Sequence, residues 1–386
     1  MVICDPNVCS GCGLCVSVCP KQCIELRLDT EGFLHPNIHS DKCISCLACK
    51  KMCPQNNIFQ NSNDSTPKAY CAQIENKDIL NRSSSGGLFY AFAQYYIEKL
   101  GGVVFASKMN ENMSFEFVKI ENIFQLSEAQ GSVYFQSNPR LIYKEIKTCI
   151  EKMPVLFIGC PCQVLALKQY IGRNTNLFTI DLVCHGVGSK KLFQQHITEL
   201  EKKEGSRVIK FRFRCKDRKS YINHYLEKIT FENGVIKYLD GLKSSYMAAY
   251  FHESIYRESC YQCKYASIPR VGDVTIGDYA GVDRSVVPMY RIKEGVSVLL
   301  INNEHGKQCF HRIKDDLWVI ERPLEEAIRT NANISQHSTR PSERDSLSLL
   351  SSSDFLAMAS YSIKNIMGIR LSALKKDIID RIKIRR

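Results

Sequence analysis

The sequence has no long hydrophobic run: nowhere do about eighteen or more apolar residues follow one another, the length that a transmembrane helix needs. It also has no cleavable apolar leader, since it opens with the letters MVICDP. We therefore expect no membrane-spanning segment. Nineteen cysteines in such a chain favour a reducing cytoplasm in which thiolates serve as ligands, with disulfides as the weaker interpretation.

Features of a nucleic-acid reader are also missing. The formal net charge of +12 attracts polyanions without specifying whether the partner is nucleic acid, an anionic membrane surface or an acidic protein. Basic residues gather at 202–219 and 364–386, and neither stretch carries the aromatic platforms or the folded motif that nucleic-acid recognition uses. We expect no nucleic-acid partner.

One cysteine pattern occurs twice near the start of the chain. The spacing C-x2-C-x2-C-x3-C-P is typical of bacterial ferredoxins with two 4Fe-4S clusters, in which the fourth cysteine of each run ligates the other cluster. The pattern covers Cys9, Cys12, Cys15 and Cys19 with Pro20, and Cys43, Cys46, Cys49 and Cys53 with Pro54. We therefore assign the first cluster to Cys9, Cys12, Cys15 and Cys53, and the second to Cys43, Cys46, Cys49 and Cys19.

Zinc is the alternative occupant of these cysteines, because C-x2-C pairs also form zinc ribbons. A zinc site does not require three such cysteines and a Cys-Pro repeated in the same order, so the pattern favours iron-sulfur clusters. Cys4 and Cys23 lie outside the pattern and are interpreted as packing residues.

The remaining sequence predicts a mixed α+β or α/β architecture. With 386 residues the chain is too long for a ferredoxin alone, and after residue 67 short apolar runs alternate with amphipathic helical ones. We predict a small two-cluster ferredoxin-like domain at 1–60, a polar linker at 61–67, a larger mixed α/β domain in two parts at 67–152 and 153–335, and a tail at 336–386. Predicted strands include 24–28, 69–74, 103–106, 115–120, 155–159, 177–184 and 297–301, and predicted helices include 86–100, 140–150, 162–170 and 190–203.

The tail ends in a predicted basic amphipathic helix. Between positions 366 and 382 apolar residues recur at helical spacing among lysines and arginines. We expect this helix to dock onto the parent protein or a partner subunit, and binding to a membrane surface is the less favoured alternative.

A serine and glycine segment precedes the predicted helix at 86–100. Residues 82–87 read RSSSGG, and small hydroxyl residues with paired glycines at a helix N-terminus leave free backbone N–H groups and room for a phosphate oxygen. Serine at such a position is also common for helix stability alone, so both interpretations stay open.

Several short motifs follow the two cysteine runs in a fixed order. They lie at 83–87, 131–137 (GSVYFQS), 155–163 (VLFIGCPCQ), 181–186 (DLVCHG), 211–217 (FRFRCKD), 260–263 and 270–278 (RVGDVTIGD). In this order the chain resembles the coenzyme F420 hydrogenase/dehydrogenase beta-subunit family, in the form that carries an N-terminal ferredoxin domain. The resemblance covers roughly residues 1 to 330 and rests on the collinearity of many motifs. Residues 279–281 (YAG) depart from it, because the family has an aromatic-glycine pair there.

The resemblance implies a flavoprotein, in which FAD exchanges electrons with the clusters and the larger domain is the flavin-binding domain. On the matching positions the cofactor would be held by Ser84, Ser85, Gly86 and Gly87 at its phosphates or ring, and by Ser132, Tyr134, Gln136 and Ser137 along its length. An ordinary strand is the alternative for the second group.

Four further cysteines and one histidine lie in these motifs. Cys162, Cys184, Cys260 and Cys263 combine one C-x2-C with two isolated cysteines, and together they could ligate a third 4Fe-4S cluster, with buried or unligated thiols as the alternative. His185 follows a predicted strand and is a candidate proton donor to reduced flavin or substrate, although a lone histidine is more often a hydrogen-bonded structural residue.

These features lead to one functional hypothesis and two alternatives. Clusters pass one electron at a time and a flavin can collect two, so the protein is expected to be an iron-sulfur flavoprotein oxidoreductase that links a one-electron donor or acceptor such as a ferredoxin to a small organic substrate. The alternatives are a non-catalytic electron-transfer subunit of a larger complex and a deazaflavin (coenzyme F420)-dependent oxidoreductase.

Overall fold

The computed structural model describes residues 1–57, 66–217, 225–241, 243–349 and 354. Most of the predicted linker at 61–67 and the whole predicted C-terminal helix lie outside these residues. Within the described ranges, no helix combines the length and the apolar character that crossing a membrane requires.

Residues 1–57 form a small unit with little regular structure. Its elements are α1 (Leu14–Val18), β1 (Ile24–Leu28), β2 (Leu34–Ile38) and α2 (Ala48–Lys51). The strands pair antiparallel, with Ile24 opposite Ile38. Cysteine side chains make up most of the buried cluster between these elements. So small an apolar core is typical of domains that depend on bound metal for their stability.

One eight-stranded sheet organises most of the remaining chain. Its strands are β3 (Lys68–Ile74), β4 (Val103–Met109), β5 (Phe115–Ile120), β6 (Val155–Gly159), β7 (Leu177–Leu182), β11 (Val274–Asp278), β12 (Ser297–Ile301) and β13 (Leu317–Arg322). Their spatial order is β13-β3-β12-β11-β7-β6-β4-β5. The four strands β11, β7, β6 and β4 are parallel, whereas the flanking strands pair antiparallel.

A three-stranded antiparallel sheet stands apart from the large one. Its strands are β8 (Val208–Arg212), β9 (Leu226–Phe231) and β10 (Ile236–Asp240), in the order β10-β9-β8. Aromatic side chains of this sheet, among them Phe211 and Phe231, pack with Phe193 and Tyr246 in a second buried cluster.

The α-helices cover the sheets and connect their strands. They are α3 (Lys77–Arg82), α4 (Leu88–Gln94), α5 (Ile123–Glu128), α6 (Ile142–Cys149), α7 (Pro161–Ile171), α8 (Lys190–Glu204), α9 (Ser245–Phe251), α10 (Met289–Glu294), α11 (Glu304–Ile313) and α12 (Leu324–Thr330). A π-helical turn at Tyr95–Lys99 continues α4, and short 3-10 turns lie at Glu258–Gln262, Lys314–Asp316, Ala332–Ile334 and Ser342–Leu349.

The central strands are buried on both faces, as parallel strands usually are. Every residue of β6 is buried. Leu156 of β6 packs in one apolar cluster with residues of α4, while its neighbour Phe157 packs in another with residues of α6 and α7. The prediction of a mixed α/β domain behind a small ferredoxin-like unit is confirmed for the described part of the chain.

Candidate functional site

The ends of three parallel strands position the main cavity. Cys160 follows β6, His185 lies just beyond β7, and Asp278 is the last residue of β11. Because these strands run in the same direction, their carboxyl ends meet at one edge of the sheet, where ligands of α/β proteins commonly bind. A cavity of about 400 Å³ lies there and is lined by all three residues. This volume is within the range of cofactor and ligand pockets.

Six of the eight predicted flavin residues line this cavity: Ser84, Ser85, Gly87, Ser132, Tyr134 and Ser137. Gly87 has a left-handed backbone (φ 82°) and directly precedes α4. The hydroxyl of Ser84 is buried and has no hydrogen-bond partner among the described residues. A buried polar atom that faces a cavity without a partner is what a bound ligand oxygen would satisfy, so these residues fit FAD.

Gly86 and Gln136, the other two predicted flavin residues, lie elsewhere. A Cβ on Gly86 would come within 2.5 Å of the carbonyl oxygen of Ala72, so this glycine allows the turn to pack on the sheet. The Gln136 side chain donates to the carbonyl oxygens of Ser10 (2.9 Å) and Gly11 (3.1 Å). Both residues support the architecture around the cavity and do not line it.

A buried ion pair lies in the cavity wall. Arg214 donates to Asp278 at 2.6 Å, and its guanidinium lies 4.4 Å from the centre of the Tyr225 ring. Burial favours the neutral carboxyl, but the adjacent guanidinium outweighs it and lowers the pKa of Asp278. Burial also lowers the pKa of His185, with Asp278 opposing the effect. The cavity thus combines fixed charges with a neutral imidazole.

The eight ferredoxin-type cysteines divide between two cavities in the small unit. Cys9, Cys12, Cys15 and Cys53 line the first, and Cys19, Cys43, Cys46 and Cys49 line the second. These are the two groups that the sequence pattern predicts. Cys4 also lines the first cavity and Cys23 the second, where its sulfur lies 3.4 Å from that of Cys19. Both extra cysteines therefore pack against the candidate ligands.

The spacing of these thiols fits a cluster better than a zinc ion. In the described ranges no three His, Cys, Asp or Glu side chains converge closely enough to hold one metal ion. Tetrahedral zinc would require its sulfur ligands within about 4 Å of one another, since each Zn–S bond is about 2.3 Å long. A cubane of four irons and four sulfides is wider, so its ligands surround a cavity instead.

A third cysteine-lined cavity, of about 230 Å³, separates the small unit from the main cavity. Its lining includes the four predicted ligands Cys162, Cys184, Cys260 and Cys263, and also Cys160. Val8, Ser10 and Gln55 of the small unit form part of the wall, while Cys160, Cys184 and His185 also line the main cavity. The residues fit a third cluster. The contact between Cys160 and Cys184 raises the pKa of the Cys160 thiol, so Cys160 belongs to the same group.

The loop of the first cysteine run is held against the larger domain by buried side chains. Tyr143 donates from its hydroxyl to the carbonyl oxygen of Cys12 at 2.7 Å. Arg257 donates to the carbonyl oxygen of Cys9 and to the side chain of Gln136. The sequence analysis missed Arg257, which no motif marks. It also missed Arg214 and Asp278, whose signal was their place in the motifs at 211–217 and 270–278.

Two family models match separate parts of the chain. The model for the C-terminal part of the coenzyme F420 hydrogenase/dehydrogenase beta subunit matches residues 152–327. A "4Fe-4S dicluster domain" model matches residues 8–57. The first contains β6, β7, β11 and the third cysteine-lined cavity, and the second contains both cysteine runs.

Individual relatives match the small unit alone. Ferredoxin-3 of Nostoc sp. is 33% identical over 66 residues, which are 14% of this chain and 68% of that protein. A ferredoxin of Streptomyces griseus is 37% identical over 90 residues, covering 22% and 77% of the respective chains. A solved structure of the F420-reducing [NiFe] hydrogenase complex from Methanosarcina barkeri aligns with 74% of this chain and 99% of its own, at 17% identity and a TM-score of 0.46. By its motifs and by both family models, the chain belongs to the coenzyme F420 hydrogenase/dehydrogenase beta-subunit family of iron-sulfur electron-transfer proteins and carries a 4Fe-4S dicluster domain at its N-terminus.

Proposed function

We propose that the protein is an iron-sulfur flavoprotein oxidoreductase that links a one-electron carrier to a small organic substrate through FAD. One observation carries the proposal: the third cysteine-lined cavity shares walls both with the small unit, through Ser10, and with the main cavity, through Cys184 and His185. The sites thus form a continuous series from the surface to the main cavity.

Each group of residues has one task in this series. The eight cysteines of the small unit hold two 4Fe-4S clusters, Cys162, Cys184, Cys260 and Cys263 hold the third, and Ser84, Ser85, Gly87, Ser132, Tyr134 and Ser137 hold FAD. When bound, the clusters supply single electrons and FAD supplies two-electron chemistry toward an organic substrate. The buried Arg214–Asp278 pair gives the wall a fixed polarity that does not depend on rearranging water.

His185 is the proposed proton donor. It lies beyond β7, where it lines the main cavity and the third cysteine-lined cavity. Burial keeps its pKa low, so at neutral pH the ring is an uncharged group that can donate at one nitrogen and accept at the other. The nineteen cysteines are all free thiols, which supports a location in the reducing cytoplasm.

Cofactor content tests the proposal directly. We expect protein purified without oxygen to contain about twelve iron atoms and twelve sulfides per chain, where two clusters alone would give about eight, together with FAD. The variant Cys263→Ser should lose about four of the twelve iron atoms. Its control is Cys215→Ser, because Cys215 is buried away from the three cysteine-lined cavities. Protein that contains zinc and neither iron nor flavin would disprove the proposal.

The role of the second cluster is tested by Cys46→Ser. This cysteine is the exposed member of its group. We expect the variant to lose turnover driven by a one-electron donor while it keeps bound flavin, because the flavin residues lie in the larger domain. Donor-driven turnover at the wild-type rate would contradict this route.

A non-catalytic subunit is the second candidate, since the matching family is described as a beta subunit. The exposed apolar side chains Val286, Met289 and Tyr290 lie close together in sequence and would suit a partner chain. Purified protein that turns over an organic substrate alone would exclude this candidate. Bleaching of coenzyme F420 by the pure protein would instead identify the deazaflavin-dependent alternative.

A further inference from the structure

The two cysteine runs follow similar backbone paths but differ at two left-handed positions. In the first run these positions, two and four residues after the leading cysteine, are Gly11 (φ 62°) and Gly13 (φ 76°). In the second run the equivalent positions are Ser45 (φ 53°) and Leu47 (φ 60°). A residue with a Cβ has a higher free energy in this backbone region than glycine does, so the second run carries local strain that the first avoids.

The glycines of the first run are required by the larger domain. A Cβ on Gly11 would lie 2.8 Å from the carbonyl oxygen of Leu34 and 2.5 Å from the side-chain amide nitrogen of Gln136. A Cβ on Gly13 would overlap the ring of Pro139. The first run is therefore covered on this side, and there is no room for side chains at either position.

The second run has the opposite environment. The side chains of Ile44 and Leu47 are 58% and 42% exposed, and Cys46 between them is exposed as well. Leu47 thus occupies a strained backbone position and buries little apolar surface within the described chain in return. Strain retained without an internal packing benefit indicates that the side chain acts outside its own fold.

Unpaired positive charge surrounds these apolar side chains. Lys21, Lys42, Lys50 and Lys51 are exposed, and none of them forms an ion pair within the described ranges. The acidic residues of the unit are mostly neutralised: Glu25 pairs with Arg27, Asp29 with His35, and Glu31 with Arg344. Asp41 is the acidic residue that remains within this loop. The local field around Cys46 is therefore positive.

We propose that Ile44, Leu47, Lys21, Lys42, Lys50 and Lys51 form a docking face for an acidic one-electron carrier protein, and we call these six residues the cluster-two face. This inference rests on the proposed function and specifies where its electron partner binds. An acidic rim on the partner matches the lysines and accelerates the encounter. The apolar side chains then exclude water at the centre, where a small, transient interface brings the partner's redox centre next to Cys46.

A matched pair of glycine variants tests the face. Leu47→Gly and Ser45→Gly both relieve a left-handed position, but only the first removes an exposed apolar side chain. We expect Leu47→Gly to slow cluster reduction by a reduced acidic ferredoxin about tenfold in stopped-flow experiments, as loss of a central apolar contact does at other interfaces. Ser45→Gly should react at the wild-type rate. Neither variant should lower the thermal unfolding midpoint, because each removes strain.

Charge and specificity are tested separately. The double variant Lys42→Glu, Lys51→Glu should slow reduction by the acidic ferredoxin and weaken its dependence on salt, whereas Lys314→Glu, at an exposed lysine of the larger domain, should change neither. A basic cytochrome should exchange electrons with the wild type more slowly than the ferredoxin does. The inference is overturned if Leu47→Gly reacts like the wild type, if the basic carrier is equally fast, or if Leu47→Gly dissolves a dimer of this chain in sedimentation.

Reduction by dithionite separates this inference from the proposed function. Dithionite needs no protein interface, so wild type and Leu47→Gly should be bleached at the same rate if their clusters are intact. Normal bleaching with unchanged ferredoxin kinetics would refute only the docking face. Protein without iron would refute the proposed function itself.

Discussion

Arg257 donates a hydrogen bond from Nε to the carbonyl oxygen of Cys9, although the two residues are 248 positions apart in the chain. The side chain is 2% exposed and forms no ion pair within the described residues. Its Nη2 atom lies 3.0 Å from Nε2 of His35. The larger domain thus inserts a buried positive charge beside the predicted first cluster. Charges and hydrogen bonds of this kind adjust cluster potentials.

Replacing Arg257 should lower the reduction potential of the first cluster. Adding an electron next to a buried cation is favourable, so Arg257→Gln should shift the potential down by roughly 60 mV, which is a tenfold change in a one-electron equilibrium. A redox titration followed by electron paramagnetic resonance measures this shift. Arg257→Lys keeps the charge and should remain near the wild type, as should Arg27→Gln at an exposed position. Equal potentials for the Gln and Lys variants would show that the charge has no effect.

Lys216 should make FAD binding depend on pH. Its ammonium donates to the carbonyl oxygens of Leu80 (2.9 Å) and Ser85 (2.8 Å) and so braces the turn that carries Ser84. Burial, aided by the nearby Arg214, lowers the pKa of Lys216 to about 7. The cofactor's phosphates favour the charged lysine, so binding above this pH takes up a proton. We expect affinity to be constant below about pH 7 and to fall by up to about tenfold per unit above it.

Flavin fluorescence titration of the apoprotein from pH 6 to 9 measures this dependence, and Lys216→Met should abolish it. Folding stability has the opposite sign. Because the folded pKa lies below that of an unfolded lysine, the unfolded chain binds more protons between about pH 7 and 10, and the free energy of unfolding should rise with pH across this window. A slope of FAD affinity that survives in Lys216→Met would assign the titration to another group.

The buried Arg270–Asp181 pair should be essential for stability. Both side chains are fully buried, and Arg270 Nη2 lies 2.6 Å from Asp181 Oδ2, which ties the segment before β11 to β7. Asp181→Asn leaves the guanidinium uncompensated in the interior and should lower the free energy of unfolding by about 3–5 kcal/mol. Chemical denaturation measures this change. The double variant Asp181→Leu, Arg270→Met should recover part of the loss, and an equal loss in the double variant would contradict the charge argument.

Local patterns in the sequence predicted the parts of the site that depend on local spacing. The grouping of Cys53 with the first cysteine run, and of Cys19 with the second, follows from a repeated spacing whose geometry is built into short loops. The β6 and β12 strands were predicted at their observed bounds because buried strands are continuous apolar runs. Ser84 and Ser85 were placed correctly at the cavity because the following helix fixes the turn that holds them.

Contacts between distant segments could not be read in the same way. Gln136 was expected at the flavin, yet it bonds the Ser10 and Gly11 carbonyl oxygens. Nothing in the residues around Gln136 encodes the position of that loop. Arg257 likewise has no pattern of its own, and its role depends on how the small unit docks. The predicted helix at 86–100 begins later, after Gly87, because Gly86 packs directly on the sheet.

Ser84 should have opposite effects on stability and on flavin binding. Its buried hydroxyl has no partner among the described residues, and an unsatisfied buried hydroxyl costs about 1–3 kcal/mol. Ser84→Ala should therefore stabilise the flavin-free protein by about 1 kcal/mol. If the hydroxyl bonds FAD, the same variant should weaken FAD binding about tenfold, which equals about 1.4 kcal/mol.

Ser83→Ala is the matched control for this pair of effects. The Ser83 hydroxyl donates to the carbonyl oxygen of Ile79 (2.8 Å) and accepts from Gln130 (3.2 Å), so it is satisfied within the chain. We expect this variant to destabilise the protein by about 1 kcal/mol without a matching loss of FAD affinity. Thermal unfolding of both apoproteins and fluorescence titration with FAD give the four numbers required. If Ser84→Ala instead destabilises the apoprotein, the hydroxyl is satisfied without a ligand, and Ser84 is a structural residue of the turn.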